Sequence, residues 1–249
     1  MNFNKINKHP KDDRIKFTES NHSYCINGSM DFISVTTLID KFREKFDADE
    51  AIMKMRNSSK PMKEEYQGKT DEQIKQKWEG GGNEASEKGK KLHKDIEQFY
   101  EGKPIKEQTT DRKQFLSFVQ EHPEFKPYRT EYVIYDETFK IAGTIDALYK
   151  VEEEFVIADW KSGKEIKKEN KFKNFFKPVS HLPDSNFWHH SLQQNFYKYI
   201  LENNYNIKVD RMFLVWLHPN NISYELIEVP DLQKEVKDMI MHEIGSRLK

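Results

Sequence analysis

The sequence is poor in cysteine, because Cys25 is the one thiol among 249 residues. A single thiol builds no intramolecular disulfide framework, zinc ribbon or iron–sulfur cluster. This shortage indicates a reducing, intracellular compartment. Long apolar runs are also missing. The N-terminal segment has no apolar region typical of a signal peptide, and no stretch approaches the ~20 apolar residues of a membrane span, so we expect no membrane partner.

Neither sign of charge is in excess, since 41 lysines and arginines stand against 42 acidic residues and the net charge is −1. Such a balance indicates no partner, and a nucleic-acid site would have to be a local basic patch. Aromatic residues make up 13% of the chain, which is enough to fill a core. The length suits one large domain or two small ones.

Hydrophobic periodicity predicts an α/β or α+β fold, in which a central mixed sheet is flanked by helices. In the first half we expect, in order, a hairpin turning at Asn27-Gly28, a short helix at 34–42, helices near 48–56 and 71–79, a helix from 84 to about 102, and another at 109–123. The sequence Gly-Gly-Gly-Asn at 80–83 is expected to end the helix that begins near residue 71.

The second half is predicted to contain most of the sheet. We expect strands at 128–135, 140–150 and 154–161, a basic loop at 162–183, a helix at 184–204 capped by Asp184 or Ser185, strands near 210–217 and 222–228, and a final helix from 230. We divide the chain into a hairpin and helical region, 1–84, and a core, 85–249, which together form one compact domain.

Two acidic residues, Asp146 and Asp159, lie inside apolar, strand-like runs, and Lys161 stands two positions after Asp159. A hairpin turning at Glu152 and Glu153 pairs residues whose numbers sum to 305, which places Asp146 opposite Asp159. Alternation puts Lys161 on the same face as Asp159. Opposed carboxylates destabilise a sheet unless one is protonated or a cation lies between them.

Mg²⁺ or Mn²⁺ suits two carboxylates completed by water. A lysine beside such an ion can orient or deprotonate an attacking water, or neutralise charge on a phosphate. The alternative is that both acids merely end strands and that Lys161 is their ion-pair partner.

His93 lies next to the apolar stripe of a predicted helix and is a candidate third metal ligand through its neutral imidazole. Glu97, four residues later, shares its face and can orient it. The alternative is a surface histidine with an ordinary partner.

Gln193 and Tyr197 share one face of the helix at 184–204, where they can contact a phosphate or a base. They are equally compatible with the polar flank of an ordinary helix.

The loop after Lys161 is rich in lysine, with seven lysines and two acidic residues over 161–178. Its candidate phosphate contacts are Lys164, Lys167, Lys168, Lys171 and Lys173. Interleaved phenylalanines can stack on unpaired bases or pack into the core. We expect one of Phe175 and Phe176 to belong to the core.

In chain order, the segments GKKLHKDIE, AGTIDALY, VIADWKSG and QQNFY resemble the PD-(D/E)xK nuclease superfamily, and specifically its RecB-like branch. That family combines a histidine-bearing helix, a G-x-x-D strand, a D-x-K strand and a Q-x-x-x-Y helix. The matching residues are His93, Gly143 with Asp146, Asp159 with Lys161, and Gln193 with Tyr197. The match covers about residues 85–200, and the segments before it are similar to single-domain exonucleases of viruses, phages and mitochondrial genome maintenance.

The resemblance implies a restriction-endonuclease-like core with a helical N-terminal region. It implies that His93, Asp146 and Asp159 bind Mg²⁺ or Mn²⁺, with the backbone carbonyl of Trp160 as a further ligand, and that Lys161 is the catalytic lysine. Glu131 fits the place of an acidic residue that this family often has on the preceding strand, in a supporting role. Relatives with a four-cysteine iron–sulfur cluster are excluded as close matches by the lone cysteine.

The implied function is a metal-dependent deoxyribonuclease, expected to be an exonuclease that acts on DNA ends or single strands. The alternatives are an inactive nucleic-acid-binding module of the same fold and a structure-specific endonuclease. A two-carboxylate glycoside hydrolase is disfavoured by Lys161 and the basic loop, because that chemistry requires one protonated acid.

Overall fold

The computed structural model describes residues 3–18 and 23–247. The helices are α1 (Phe3–Ile6), α2 (Val35–Asp40), α3 (Ala48–Arg56), α4 (Asp71–Tyr100), α5 (Thr110–Glu121), α6 (Asn186–Asn204) and α7 (Gln233–Arg247). The strands are β1 (Ile15–Thr18), β2 (Ser23–Ile26), β3 (Ile33–Ser34), β4 (Lys126–Asp136), β5 (Ile141–Val151), β6 (Glu154–Lys161), β7 (Val209–Trp216) and β8 (Glu225–Glu228). No helix in these described ranges is both long and apolar enough to cross a membrane.

Six strands form the central sheet, in which β4, β5, β6, β7 and β8 are successive neighbours and β3 joins the start of β5. The β6–β7 and β3–β5 pairs are parallel, and the other pairs are antiparallel. One face packs against α2, α6 and α7, and the other packs against α4 and α5. The predicted mixed sheet flanked by helices is confirmed.

The β5–β6 hairpin has the predicted register, because Ala147 pairs with Ala158 and Val151 with Glu154. Its tight turn is possible because Glu152 adopts a positive φ of 55°. The β5–β6 ladder ends at Ala147, and farther towards its start β5 pairs with β3 instead. Since β4 occupies the opposite edge of β5 throughout, β3 and β6 share one edge, and a fork opens between them.

The expected break of α4 at 80–83 is wrong, since α4 runs without interruption from Asp71 to Tyr100. Glycine weakens a helix without blocking it, because it keeps its N–H and reaches helical dihedral angles. A capping box at Thr70 and Gln73 closes the start of the helix. The division of the chain at residues 84 and 85 stays a prediction.

Two other details differ from expectation. Asn27-Gly28 does form a two-residue turn, with Ile26 and Ser29 exchanging two backbone hydrogen bonds of 2.9 Å. The main ladder, however, joins β1 to β2 through residues 19–22, which lie outside the described residues. Ser185 occupies the N-cap position of α6 but makes no capping hydrogen bond, and its hydroxyl instead donates to the carbonyl of Lys168 at 3.3 Å.

Candidate active site

A cleft of about 630 Å³ opens at the fork between β3 and β6. It is walled by the start of α2, the second half of α4, strands β4 to β6 and one side of α6. Eight residues that the sequence singled out line this cleft: His93, Glu97, Glu131, Asp146, Asp159, Lys161, Gln193 and Tyr197. The fold therefore brings together side chains from separate sequence segments.

Asp146 and Asp159 meet just beyond the last pair of the β5–β6 ladder, as the register predicts. Oδ2 of Asp146 accepts a hydrogen bond of 2.9 Å from the backbone N–H of Trp160, which holds this carboxylate across the hairpin. Asp159 is buried, and Nζ of Lys161 lies 2.6 Å from its Oδ2. The two acids are thus held differently, one by backbone and the other by an ion pair.

Burial raises the pKa of Asp159 to about 6, and the negative charge of Asp146 adds to this effect, although Lys161 opposes it. For Lys161, burial lowers the pKa, but the charges of Asp159 and Asp146 outweigh burial, so its pKa lies above the ordinary value. Lys161 is therefore a cation at neutral pH. The geometry favours a role in which its ammonium group stabilises negative charge and donates hydrogen bonds, rather than a role as a base.

His93 reaches from α4 to the same place. Its Nε2 lies 3.0 Å from the carbonyl oxygen of Trp160, and its Nδ1 lies 3.5 Å from Oδ2 of Asp146. Because a carbonyl only accepts hydrogen bonds, this contact assigns a proton to Nε2. In the neutral ring Nδ1 then presents its lone pair towards the acids, which is the orientation of a metal ligand.

Glu131 joins this group from β4. It lies opposite Asp146 in register, between the pairs Thr130–Ala147 and Tyr132–Ile145, and its φ is +46°. Positive φ is costly for glutamate, and the resulting backbone strain is typical of functional positions. The ligand atoms of His93, Glu131 and Asp146 all lie within 4.8 Å of one another.

Burial, together with the negative charge of Asp146, raises the pKa of Glu131 to about 9. Sequence reasoning places Glu131 in a supporting role and names Asp159 as the companion of His93 and Asp146. In the structure Glu131 is the closer companion, and Asp159 is paired with Lys161. Extending the residue pairing from β5 to β4 would have revealed this, because Glu131 and Asp146 fall opposite each other.

Glu97 lines the cleft but is paired with Lys94, whose Nζ lies 2.6 Å from Oε2 of Glu97. The Trp160 carbonyl, rather than Glu97, holds the His93 ring. Sequence reasoning missed Lys90 and Lys94, which also line the cleft. Helical spacing could have found them, since Lys90 lies three residues before His93 and four before Lys94, and positions three or four apart share a face.

Tyr197 packs directly on β5 beside Asp146. A Cβ placed on Gly143 would overlap Cε1 of the Tyr197 ring, so only glycine allows this contact. Gln193 donates a hydrogen bond of 2.9 Å to the Tyr197 hydroxyl, as their shared helix face predicts. Because Tyr197 is buried, it supports the strand, whereas Gln193 is the more accessible member of the pair.

The five candidate phosphate-binding lysines of the basic loop do not belong to the cleft lining found among the described residues. Lys167 is paired with Glu165 and Lys173 with Glu44, and Nζ of Lys168 lies over the ring of Phe187. Lys164 and Lys171 are exposed.

The same loop is anchored to the first turn of α6, where Trp188 donates to the carbonyl of Lys168 at 2.9 Å. Phe175 is 2% exposed and belongs to the core, so the expectation that one of Phe175 and Phe176 is core is confirmed. Phe172, at 93%, is almost fully exposed.

The comparisons with known proteins address this arrangement directly. A family model described as the PD-(D/E)XK nuclease superfamily matches residues 110–244, which is more than half of the chain and includes Asp146, Asp159 and Lys161. No curated protein matches the chain. A solved structure titled "Crystal structure of SSO0001" is similar to this chain at 15% identity and a TM-score of 0.38. The match covers 89% of this chain and 78% of that chain, and a likeness this weak carries no argument. On the family match, the chain belongs to the PD-(D/E)XK nuclease superfamily.

Proposed function

We propose that this protein is a deoxyribonuclease that depends on Mg²⁺ or Mn²⁺ and that removes nucleotides from DNA ends or single strands as an exonuclease. The observation that carries the proposal is the convergence of His93, Glu131 and Asp146 beside the Asp159–Lys161 pair in one open cleft. Nucleases of this superfamily generally use divalent metals such as Mg²⁺ or Mn²⁺.

The residues present fit a hard divalent cation. One imidazole nitrogen and carboxylate oxygens form a donor set that suits Mn²⁺. Mg²⁺ also fits this site, bound through fewer of these protein ligands. Burial and repulsion from Asp146 raise the pKa of Glu131 to about 9, as expected for a cluster that lacks positive charge. A bound ion would supply that charge, polarise the scissile phosphate and help to ionise water.

We assign the metal ligands to His93, Glu131 and Asp146, with Asp159 at the edge of the group. The Trp160 backbone has two roles: its N–H holds Asp146, and its carbonyl orients His93. Such groups behind the ligands keep them in place before the ion arrives. The carbonyl is therefore a positioning group in this proposal, although the resemblance implies a direct ligand.

Lys161 acts on the phosphate. Its ammonium group, held by Asp159, lines the cleft and can donate to a phosphoryl oxygen on which negative charge develops as water adds to phosphorus. The bond to the leaving oxygen then breaks, and the ester is hydrolysed. Since Asp159 keeps Lys161 charged and oriented, Asp159 contributes even without contacting the ion.

DNA as the substrate is supported by the lysines that line the cleft and by the resemblance to single-domain exonucleases. Lys90 and Lys94 of α4 stand near the acids and can contact neighbouring phosphates. Gln193 can bind a phosphate or base at the opposite wall. The exposed ring of Phe172 and the lysines of the basic loop offer further contacts for an unpaired strand.

End-labelled single-stranded DNA, duplex DNA, RNA of the same sequence and circular single-stranded DNA, each incubated with Mg²⁺ or Mn²⁺, test this proposal. We expect linear DNA to shorten from an end, circles to remain intact and EDTA to stop the reaction. Cleavage of circles would establish an endonuclease. Binding without any cleavage in either metal would establish an inactive module and contradict the proposed activity.

A further inference from the structure

The middle of α4 is exposed on all sides in the part of the chain that the structure describes. α4 is about 45 Å long, by the helical rise over residues 71–100. Every residue from 79 to 88 is exposed. Before this stretch Ile74 is buried, and after it Leu92 and Ile96 pack into the core. Ten residues of helix therefore bridge two packed regions with no side chain buried on any face.

Gly80, Gly81 and Gly82 lie together in this bridge. A Cβ placed on any of the three would meet no heavy atom within 4 Å, so no close packing requires glycine there. Glycine is the weakest helix former after proline. Beyond it, the ion pairs Glu84–Lys88 and Glu87–Lys90 support the helix, which confines the weak point to the three glycines.

The first turns of α4 belong to a small helical unit, residues 46–78, which we call the cap. Within the cap, Ile52 and Ile74 are buried, and Nε of Arg56 donates to Asp71 at 2.8 Å. Phe46 is 73% exposed, with its ring centroid 5.9 Å from that of Trp78. Exposed rings of this kind bind unpaired bases by stacking.

Both connections of the cap lead to walls of the cleft. On one side, Ser34 and Thr36 line the cleft, and α2 continues from them towards the cap. On the other side, the free bridge of α4 leads to Gly89 and His93, which also line the cleft. Because α2 and residues 89–100 of α4 are packed on the core, a movement of the cap would change how far the cap extends over the mouth of the cleft between them.

We propose that Gly80–Gly82 form a hinge at which α4 bends or melts locally, so that the cap closes over a single nucleic-acid strand lying in the cleft. This inference rests on the proposed function for the identity of the strand, but the hinge itself is a property of the free protein. Consecutive glycines at an exposed helical site are a recognised origin of bending.

The test replaces all three glycines by alanine, because a Cβ is accommodated at each position. Alanine is the best helix former, so the opening equilibrium of the bridge should fall by up to about 100-fold. The matched control is Gly245→Ala in α7, another helical glycine with no heavy atom within 4 Å of an added Cβ. Hydrogen exchange read by mass spectrometry gives the protection of each segment.

We expect residues 79–88 to exchange much faster than residues 89–100 in the wild type. The triple variant should suppress this fast exchange, and the control Gly245→Ala should leave it unchanged. Protection that is already equal across both segments in the wild type would overturn the hinge. So would a triple variant that exchanges as the wild type does.

The second readout is the binding of a fluorescent oligothymidylate in EDTA. We expect the triple variant to slow both association and dissociation at least fivefold, and the control to leave both unchanged. Rates equal to those of the wild type would overturn the role of the hinge in closure while leaving the proposed function intact. Failure of the wild type to bind or cleave any nucleic acid would instead contradict the proposed function, and hydrogen exchange would still decide the hinge.

Discussion

The backbone N–H of Trp160 donates a 2.9 Å hydrogen bond to Oδ2 of Asp146 just past the end of the β5–β6 ladder. This contact holds Asp146 on the side where the carbonyl of the same tryptophan meets His93. The Trp160 side chain is buried, edge-on to the rings of Phe115 and Phe118. One well-packed residue thus positions two groups of the candidate metal site through its backbone.

The first prediction concerns Glu131 and pH in the absence of metal. The folded protein holds the Glu131 proton up to a pKa of about 9, whereas the unfolded chain releases it near the ordinary value of 4.5. Between these values the unfolded state binds fewer protons, so stability falls as pH rises. Between pH 5 and pH 8 in EDTA, the melting temperature should fall less for Glu131→Gln than for the wild type.

Metal should reverse this loss. At pH 8, Mn²⁺ should raise the melting temperature of the wild type more than that of Glu131→Gln, because a ligand of the folded state stabilises it by mass action. An identical response of both proteins to pH and to Mn²⁺ would remove Glu131 from the metal site.

The second prediction concerns His93. Replacing it by alanine removes the nitrogen ligand, and Mn²⁺ uses imidazole more readily than Mg²⁺ does. His93→Ala should therefore lower activity by roughly 10–100-fold or more, with the loss depending on which metal is supplied. His122→Ala is the control, since His122 pairs with Glu124 and does not line the cleft. Unchanged activity in both metals would return His93 to an ordinary surface role.

The third prediction concerns the contact between Gly143 and Tyr197. Gly143→Ala should lower stability by about 1–3 kcal/mol, because its Cβ overlaps the tyrosine ring. Adding Tyr197→Leu should cost less in the alanine background than in the wild type, since the overlap is then relieved. Gly163→Ala is the control, because its nearest atom is 4.0 Å away. The free energies of unfolding are measured with denaturant. If the loss in the double variant equals the sum of the losses in the two single variants, the contact is contradicted.

The fourth prediction concerns the basic loop. One variant replaces Lys167, Lys168, Lys171 and Lys173 by alanine. For its binding to single-stranded DNA, we plot the logarithm of the binding constant against the logarithm of the salt concentration. The slope of this plot should be less steep by up to ~0.7 for each phosphate that these lysines neutralise in the wild type. The charge-matched control replaces four exposed lysines elsewhere, namely Lys103, Lys113, Lys126 and Lys208. Equal slopes for both variants would exclude the loop from the DNA path.

The phenylalanines of that loop provide a matched pair of substitutions. Phe175→Ala should lower stability by roughly 3–5 kcal/mol, because the ring is buried. Phe172→Ala should leave the melting temperature unchanged and weaken single-strand binding if the exposed ring stacks on a base.

Local patterns were sufficient for the β5–β6 pair and for much of the site. Alternation and a two-residue turn determine the β5–β6 register, and the register alone brings Asp146 and Asp159 together. The place of Gln193 beside Tyr197 follows from helical spacing in the same way.

Features that depend on tertiary contacts could not be read in this way. The continuity of α4 through Gly80–Gly82 depends on packing at both of its ends, which local propensity does not report. Local patterns do not report the positive φ of Glu131. The raised pKa of Lys161 depends on the charges of Asp159 and Asp146, which outweigh its burial. Sequence reasoning therefore assigns Glu131 a weaker role than its position supports.

The most direct test of the central claim is DNA cleavage in Mn²⁺ by Asp146→Asn and Asp159→Asn, beside the control Asp210→Asn on β7. Changes to groups that only orient metal ligands lower activity by roughly 10–100-fold. Removal of either carboxylate should therefore lower the rate of cleavage by at least about 100-fold. DNA binding should be retained by both variants. The melting temperature should be retained by Asp146→Asn, because asparagine is nearly isosteric and relieves repulsion between the acids. Asp159→Asn should melt at a lower temperature, because it leaves Lys161 without its ion-pair partner. Cleavage by Asp146→Asn at the rate of the wild type would contradict the account.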